Sequence, residues 1–218
     1  MNKTKIEWCD YTWNPITGCS PVSEGCEHCY AAGISKRFGL PWGEPVFNKD
    51  RLEDPLKLKK PARIFVGSMT DMLHPLIELH HAGLVFDVIQ KCPQHTFMLL
   101  TKRPAGMLPA DIADMPNLWM GVTAENQARA DERIPMLLEI PAAVRFVSLE
   151  PMLGPVDLSK WNGLDWVIAG PETGTGARQC DSAWIFDVAA ECAIAGVPFF
   201  DKRKRGWLRR EWPKDRQP

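Results

Sequence analysis

Thr96-Phe97-Met98-Leu99-Leu100 runs straight into Thr101-Lys102-Arg103-Pro104, an apolar stretch ending abruptly in polar and basic residues. A short run without polar alternation is the pattern of a strand buried on both faces. The same pattern recurs at Arg63-Ile64-Phe65-Val66-Gly67, Leu118-Trp119-Met120-Gly121-Val122 and Val144-Arg145-Phe146-Val147-Ser148-Leu149. It returns at Asp165-Trp166-Val167-Ile168-Ala169 and Val197-Pro198-Phe199-Phe200, and a further strand is expected between Tyr11 and Ile16. Helical spacing lies between these runs. Val85, Val88, Ile89 and Cys92 share one face, as do Trp184, Val188, Ala189 and Cys192 after a cap at Asp181 or Ser182. Ala124 to Glu139 is helix-like, with Pro135 expected to kink or split it.

Strands alternating with helices imply βαβ units and a parallel sheet. The expected fold is α/β, a single-domain partial (β/α)6-type barrel of parallel strands over residues 1–201. The 218 residues fall short of the roughly 250 of a complete eight-unit barrel. An open doubly wound sheet is the alternative. Either fold places a site at the C-terminal ends of the strands. The polar residues there are Ser68, Thr70 and Asp71; Thr101, Lys102 and Arg103; Thr123 and Glu125; Glu150; and Glu172 and Thr173. The stretch up to about Leu58 is poor in such units and reads as a loop, one helix and an irregular lid.

With 45% hydrophobic and 24% charged residues, the composition is that of a soluble globular protein. No apolar run reaches the roughly 20 residues of a membrane helix, and the first ten residues lack an apolar signal core. A cytoplasmic location is expected. From Lys202 to Pro218 eight basic residues stand against two acidic ones, a net of +6 that leaves −7 on residues 1–201. A basic tail on an acidic body suits phosphate tracking, with Lys202 to Arg205 as the candidates; a solvated terminus is the plain alternative.

Seven cysteines in a reducing compartment argue for metal rather than disulfides. Cys9, Cys92, Cys180 and Cys192 are scattered, but Gly18-Cys19-Ser20-Pro21-Val22-Ser23-Glu24-Gly25-Cys26-Glu27-His28-Cys29-Tyr30 spaces three thiols as C-x6-C-x2-C. Three thiolates on a loop suit three irons of a [4Fe-4S] cluster, the fourth iron staying open. Zinc is the rival and wants four ligands. Cys9 or His28 would complete the set, although neighbouring side chains in a tight C-x2-C turn rarely converge on one ion.

The words around these cysteines resemble the cluster loop of radical S-adenosylmethionine (SAM) proteins related to spore photoproduct lyase. Closer still is a large family found in phages and bacteria that shares the longer spacing. The likeness runs on through Gly67-Ser68-Met69-Thr70-Asp71, Leu99-Leu100-Thr101-Lys102-Arg103-Pro104, Ser148-Leu149-Glu150-Pro151-Met152, Trp166-Val167-Ile168-Ala169-Gly170, Gly176-Ala177-Arg178 and Pro198-Phe199-Phe200. It covers residues 5 to 206. Gly170-Pro171-Glu172-Thr173-Gly174 departs from the usual Gly-Gly-Glu-Ser-Gly, and Asp201-Lys202-Arg203-Lys204 from a Lys-Gln-Trp ending.

The resemblance implies a cluster held by Cys19, Cys26 and Cys29, with SAM on the open iron. Cleavage of SAM would give a 5′-deoxyadenosyl radical that abstracts hydrogen from substrate, in isomerase or lyase chemistry. It implies SAM-binding or substrate-binding roles for Tyr30, Thr70, Asp71, Thr101, Lys102, Glu150 and Glu172. Arg178 is expected at a phosphate or a helix cap. Cys180 is a candidate hydrogen donor that no motif places; otherwise it is a small packed residue like Cys9, Cys92 and Cys192. The expected substrate is a nucleic acid or nucleotide, such as a modified base in phage DNA, which would put the protein in the host cytoplasm. The expected electron donor is flavodoxin or ferredoxin. Two alternatives stand: radical chemistry on a peptide or small metabolite, and a zinc-stabilised nucleic-acid-binding protein without catalysis.

Overall fold

The computed structural model describes residues 1–106, 115–203 and 208–214. One sheet organises them. Its strands in chain order are β1 (Asn2–Lys3), β2 (Tyr11–Trp13), β5 (Arg63–Val66), β6 (Thr96–Thr101), β7 (Leu118–Thr123), β8 (Val144–Leu149), β9 (Trp166–Ala169) and β10 (Phe199–Asp201). The spatial order is the same, β1-β2-β5-β6-β7-β8-β9-β10. Every pairing is parallel except β1 with β2. A small antiparallel pair, β3 (Ile16–Thr17) with β4 (Val46–Phe47), stands apart. The helices are α1 (Tyr30–Phe38), α2 (Lys49–Leu52), α3 (Leu79–Gln90), α4 (Gln127–Leu138) and α5 (Ser182–Ala195).

The order never reverses, so this is not a doubly wound sheet, in which the order switches. Right-handed crossovers that always step the same way put every crossover helix on one face. The packing follows. Val85, Val88 and Ile89 of α3, Ala130, Ile134 and Leu137 of α4, and Ile185, Val188 and Cys192 of α5 share one core with Ile64, Val66, Phe97, Leu99, Met120, Val147 and Val167. The alternate strand residues form a second core with Trp8: Phe65, Met98, Trp119, Phe146, Trp166, Ile168 and Phe200. Both faces are buried, which is why the strands read as continuous apolar runs.

Among the described residues no crossover helix covers this second face, and it is filled from within. The Trp8 ring lies 4.8 Å from Phe65 of β5 and 6.4 Å from Trp166 of β9. Those strands are four steps apart, about 19 Å in a flat sheet, so the sheet curls around the ring. Trp166 meets Trp119 and Phe200 edge-on at 6.1 Å each. Gly121 makes room inside the curl: a Cβ there would stand 2.5 Å from the Phe146 ring.

Two expectations are revised. Pro135 neither ends nor splits α4, which runs on to Leu138, because buried Ile134 and Leu137 hold the turns around it. Residues 208–214 are not a free tail: Arg210 bridges Phe200, Asp201 N–H donates to Arg209 O, and Trp212 packs 5.0 Å from Phe200. The expected cap does hold: Asp181 accepts from Ala183 N–H at 2.9 Å. Among the described residues no helix is long and apolar enough to cross a membrane.

Gly121→Ala forces its methyl into the Phe146 ring. We expect a loss of about 1–3 kcal/mol, read from urea unfolding and largely recovered by adding Phe146→Leu. A neutral G121A would show that the interior has slack.

Candidate functional site

At the carboxyl ends of the strands the inner alternation continues into polar residues. Leu100 and Lys102 follow from β6, Thr123 from β7, Ser148 and Glu150 from β8, Glu172 from β9 and Lys202 from β10. All of them line a cavity of about 360 Å³, with Trp8, Phe65, Tyr30, Cys29 and His28. A second cavity of about 140 Å³ adjoins it, lined by Cys19, Cys26, Cys29, Thr70, Asp71, Thr101 and Arg103. Cys29, Tyr30, Phe65, Leu100, Lys102 and Thr123 belong to both. The three cysteines expected as ligands therefore line one cavity, which adjoins a larger compartment. All three are free, half-buried thiols. Burial first, then Asp71, pushes the Cys19 thiol up.

The cysteine loop has little regular structure of its own, and successive strand ends hold it. After β5, Asn14 accepts from Met69 N–H at 2.9 Å and Thr70 donates to Gly18 O at 2.6 Å. Asp71, 6% exposed, accepts from Thr101 Oγ1 at 2.7 Å and from Lys102 N–H at 2.9 Å, locking β5 to β6. Arg103 donates to Ser20 O and Oγ at 2.9 and 3.0 Å. His74 Nδ1 accepts from Leu76 N–H, so Nε2 carries the proton toward Ser20 Oγ at 2.7 Å. Burial, and then Arg103, lowers the His74 pKa, in keeping with this neutral ring.

After β7, Glu125 accepts from Gly25 N–H at 3.3 Å and pairs with Arg133 at 3.0 Å, both side chains essentially without solvent. Glu24 takes Asn126 and Arg129; hydrogen bonds from its own backbone and from those two hold its pKa at about 2. After β9, Glu172 accepts from Arg178 at 2.5 and 2.9 Å and from His28 Nδ1 at 2.9 Å. Arg178 first, then His28, keeps Glu172 at about 2. Arg178 reaches on to Glu24 O at 3.0 Å and Glu27 at 2.9 Å.

All seven expected binding residues line one cavity or the other. The polar atoms of Thr70, Thr101, Asp71 and Glu172 also hold the loop or its supports. Tyr30 is 53% exposed at the junction, its hydroxyl donating to Ser68 O at 2.6 Å; surrounding groups desolvate it and push its pKa above the usual range. The Lys102 ammonium has no carboxylate partner among the described residues. Glu150 pairs with Lys202 at 2.8 Å across Gly170, where a Cβ would meet Lys202 Cβ at 2.9 Å. The larger cavity also borders Trp8, whose buried indole N–H has no partner among the described residues.

Several placements differ from expectation. Arg178 meets carboxylates and a loop carbonyl, not a helix end. Cys180 lines neither cavity and donates to Asp181 O at 3.6 Å. Cys9, Cys92 and Cys192 are buried in the core, as expected. Lys202 and Arg203 are committed to Glu150 and Asp201 rather than outward, while Lys204 and Arg205 lie outside the described residues. The reading in sequence passed over His74, Arg103 and Glu125 as loop anchors, and nothing in their spacing signals that role. Among the described residues no three His, Cys, Asp or Glu side chains gather tightly enough for a single metal ion.

The depressed Glu172 pKa has a defined sign. Its contribution to stability is complete above its ordinary value of 4.5 and is lost as pH falls through about 2. Glu172→Gln is therefore expected to be less stable than wild type at pH 7, with the gap closing below pH 4.5 and gone near pH 2. Urea midpoints of the pair across this range check it; a constant gap would sink the electrostatic account.

No curated protein and no solved structure matches the chain. A family described as "Protein of unknown function (DUF5131)" matches residues 3–217. With nearly its whole length matched, the chain belongs to the DUF5131 family.

Proposed function

We propose that the protein is a radical SAM enzyme whose [4Fe-4S] cluster is held by Cys19, Cys26 and Cys29. The observation that carries this reading is that these three free thiols line one cavity at the carboxyl ends of parallel strands. A curled sheet in unreversed order supports a partial (β/α) barrel as its scaffold. The donor set suits a cluster better than zinc. Zinc gathers four ligands at about 2.0–2.3 Å around one point, whereas a cluster spreads its thiolates over separate irons.

When bound, the reduced cluster supplies the electron that cleaves SAM to methionine and a 5′-deoxyadenosyl radical. The chain's own residues bind, orient and exclude water. Lys102, a cation at the junction of the two cavities, holds the SAM carboxylate. Tyr30 forms the wall against which the adenosyl group lies. Phe65 and Leu100 keep the junction apolar, protecting a radical from solvent. The larger cavity receives the substrate, with Glu150 as acceptor, and Lys202 and the Trp8 indole as donors. The substrate we favour for this pocket is a base of DNA, whose edge carries both donors and acceptors for these groups. A peptide or small metabolite is the second reading, separable by a substrate screen once SAM cleavage is established.

Anaerobic reconstitution followed by iron and sulfide analysis tests the class. About four irons per chain are expected, with a reduced EPR spectrum that changes on adding SAM. Cys19→Ala, Cys26→Ala and Cys29→Ala should each abolish SAM cleavage, while Cys180→Ala should retain the cluster. One zinc per chain and no iron after reconstitution would replace this reading with that of a zinc-stabilised binding protein.

A further inference from the structure

Arg178 sits far from the cysteines in sequence, yet more of its contacts reach their loop than any helix. Its fork grips both oxygens of Glu172, at 2.5 and 2.9 Å, and its backbone N–H donates to the same carboxylate at 2.8 Å. The remaining guanidinium donors reach Glu24 O at 3.0 Å and Glu27 Oε2 at 2.9 Å. Glu172 in turn takes His28 Nδ1 at 2.9 Å. The network thus touches residues 24, 27 and 28, on both sides of Cys26 and immediately before Cys29. Cys19 is held differently, through Ser20 by His74 and Arg103.

The loop therefore has three fastenings. One fixes the first cysteine to the ends of β5 and β6. A second, after β7, holds Glu24 and Gly25 just before Cys26. The third, from the segment after β9, spans Cys26 and ends beside Cys29. We infer that Arg178 is a positioning residue that sets where Cys26 and Cys29 stand, acting through Glu24, Glu27 and the Glu172–His28 pair without touching a thiol itself. The inference rests on the radical SAM reading for the meaning of that placement. Arginine is required because a single ammonium cannot fork onto a carboxylate and reach a carbonyl and a second carboxylate together.

Labelling by iodoacetamide, resolved cysteine by cysteine through peptide mapping, reads the placement directly on the reduced, metal-free full chain. Arg178→Met is expected to speed labelling of Cys26 and Cys29 about tenfold, the scale of one lost charge-assisted hydrogen bond, and to leave Cys19 unchanged. Arg178→Lys, which keeps charge and fold but not the fork, should show the same selectivity. After reconstitution both variants should hold less iron than wild type and give an altered reduced EPR spectrum. Equal labelling in variant and wild type, or a rise at all three cysteines together, overturns the inference. A wild-type chain that takes up no iron overturns the proposed function instead, whatever the labelling shows.

Discussion

The constraint on which this structure depends is directional winding. Because each crossover steps to the next strand on the same side, α3, α4 and α5 crowd one face, and no described helix covers the other. A parallel sheet cannot leave a face to water. It curls instead, and the enclosed side chains become its second core. Large rings suit that space, since they fill a curved interior with few side chains and tolerate edge-on contact. Trp8, Trp119, Phe146, Trp166 and Phe200 do this, and Gly121 yields the volume they need. Above them the strand ends diverge, the filling stops, and the two cavities open.

The same geometry explains why the cysteine loop is fastened by charges. A loop laid over strand ends finds few apolar partners, but it meets N–H groups, carbonyls and the polar residues that end each strand. Glu125 and Arg133 are the deepest of these fasteners. Burying such a pair yields little net stability, because desolvation offsets the attraction, while breaking one partner costs about 3–5 kcal/mol. Its value lies in geometry: Glu125 has one place to be, and Gly25 N–H is aimed at it. Glu24 and Glu172, both held near pKa 2, are likewise fixed as carboxylates through the physiological range.

Strands and helices were legible in sequence because period and length report local burial. Runs such as Thr96-Phe97-Met98-Leu99-Leu100 lie where they were expected, with ends shifted by a residue. The cysteine loop was legible through its spacing. The pairing of Ile16–Thr17 with Val46–Phe47 was not, since two-residue strands carry no period. The partners of Asp71 and Arg178 were invisible for another reason. A polar residue at a strand end looks the same whether it faces a ligand or a loop backbone, and only tertiary placement separates the two. Asp71 and Glu172 line the cavities as Lys102 and Glu150 do, but their carboxylates also brace the loop or its supports.

Charge counted along a chain is likewise a poor guide to charge in space. The C-terminal segment is strongly basic, yet Lys202 answers Glu150, Arg203 answers Asp201, Arg209 answers Glu211 and Arg210 answers Glu7. Arg210 also lies 5.7 Å over Phe200, and Arg63 lies 4.9 Å over Trp212. The segment thereby covers the open edge of β10, which would otherwise present unpaired backbone groups, and it carries one cation, Lys202, into the larger cavity. Among the described residues, two lysines, Lys102 and Lys202, line that cavity. Breaking the pair of Lys202 with Glu150 leaves an ammonium without its acceptor and a carboxylate without its donor, so anything that parts them would have to supply both at once.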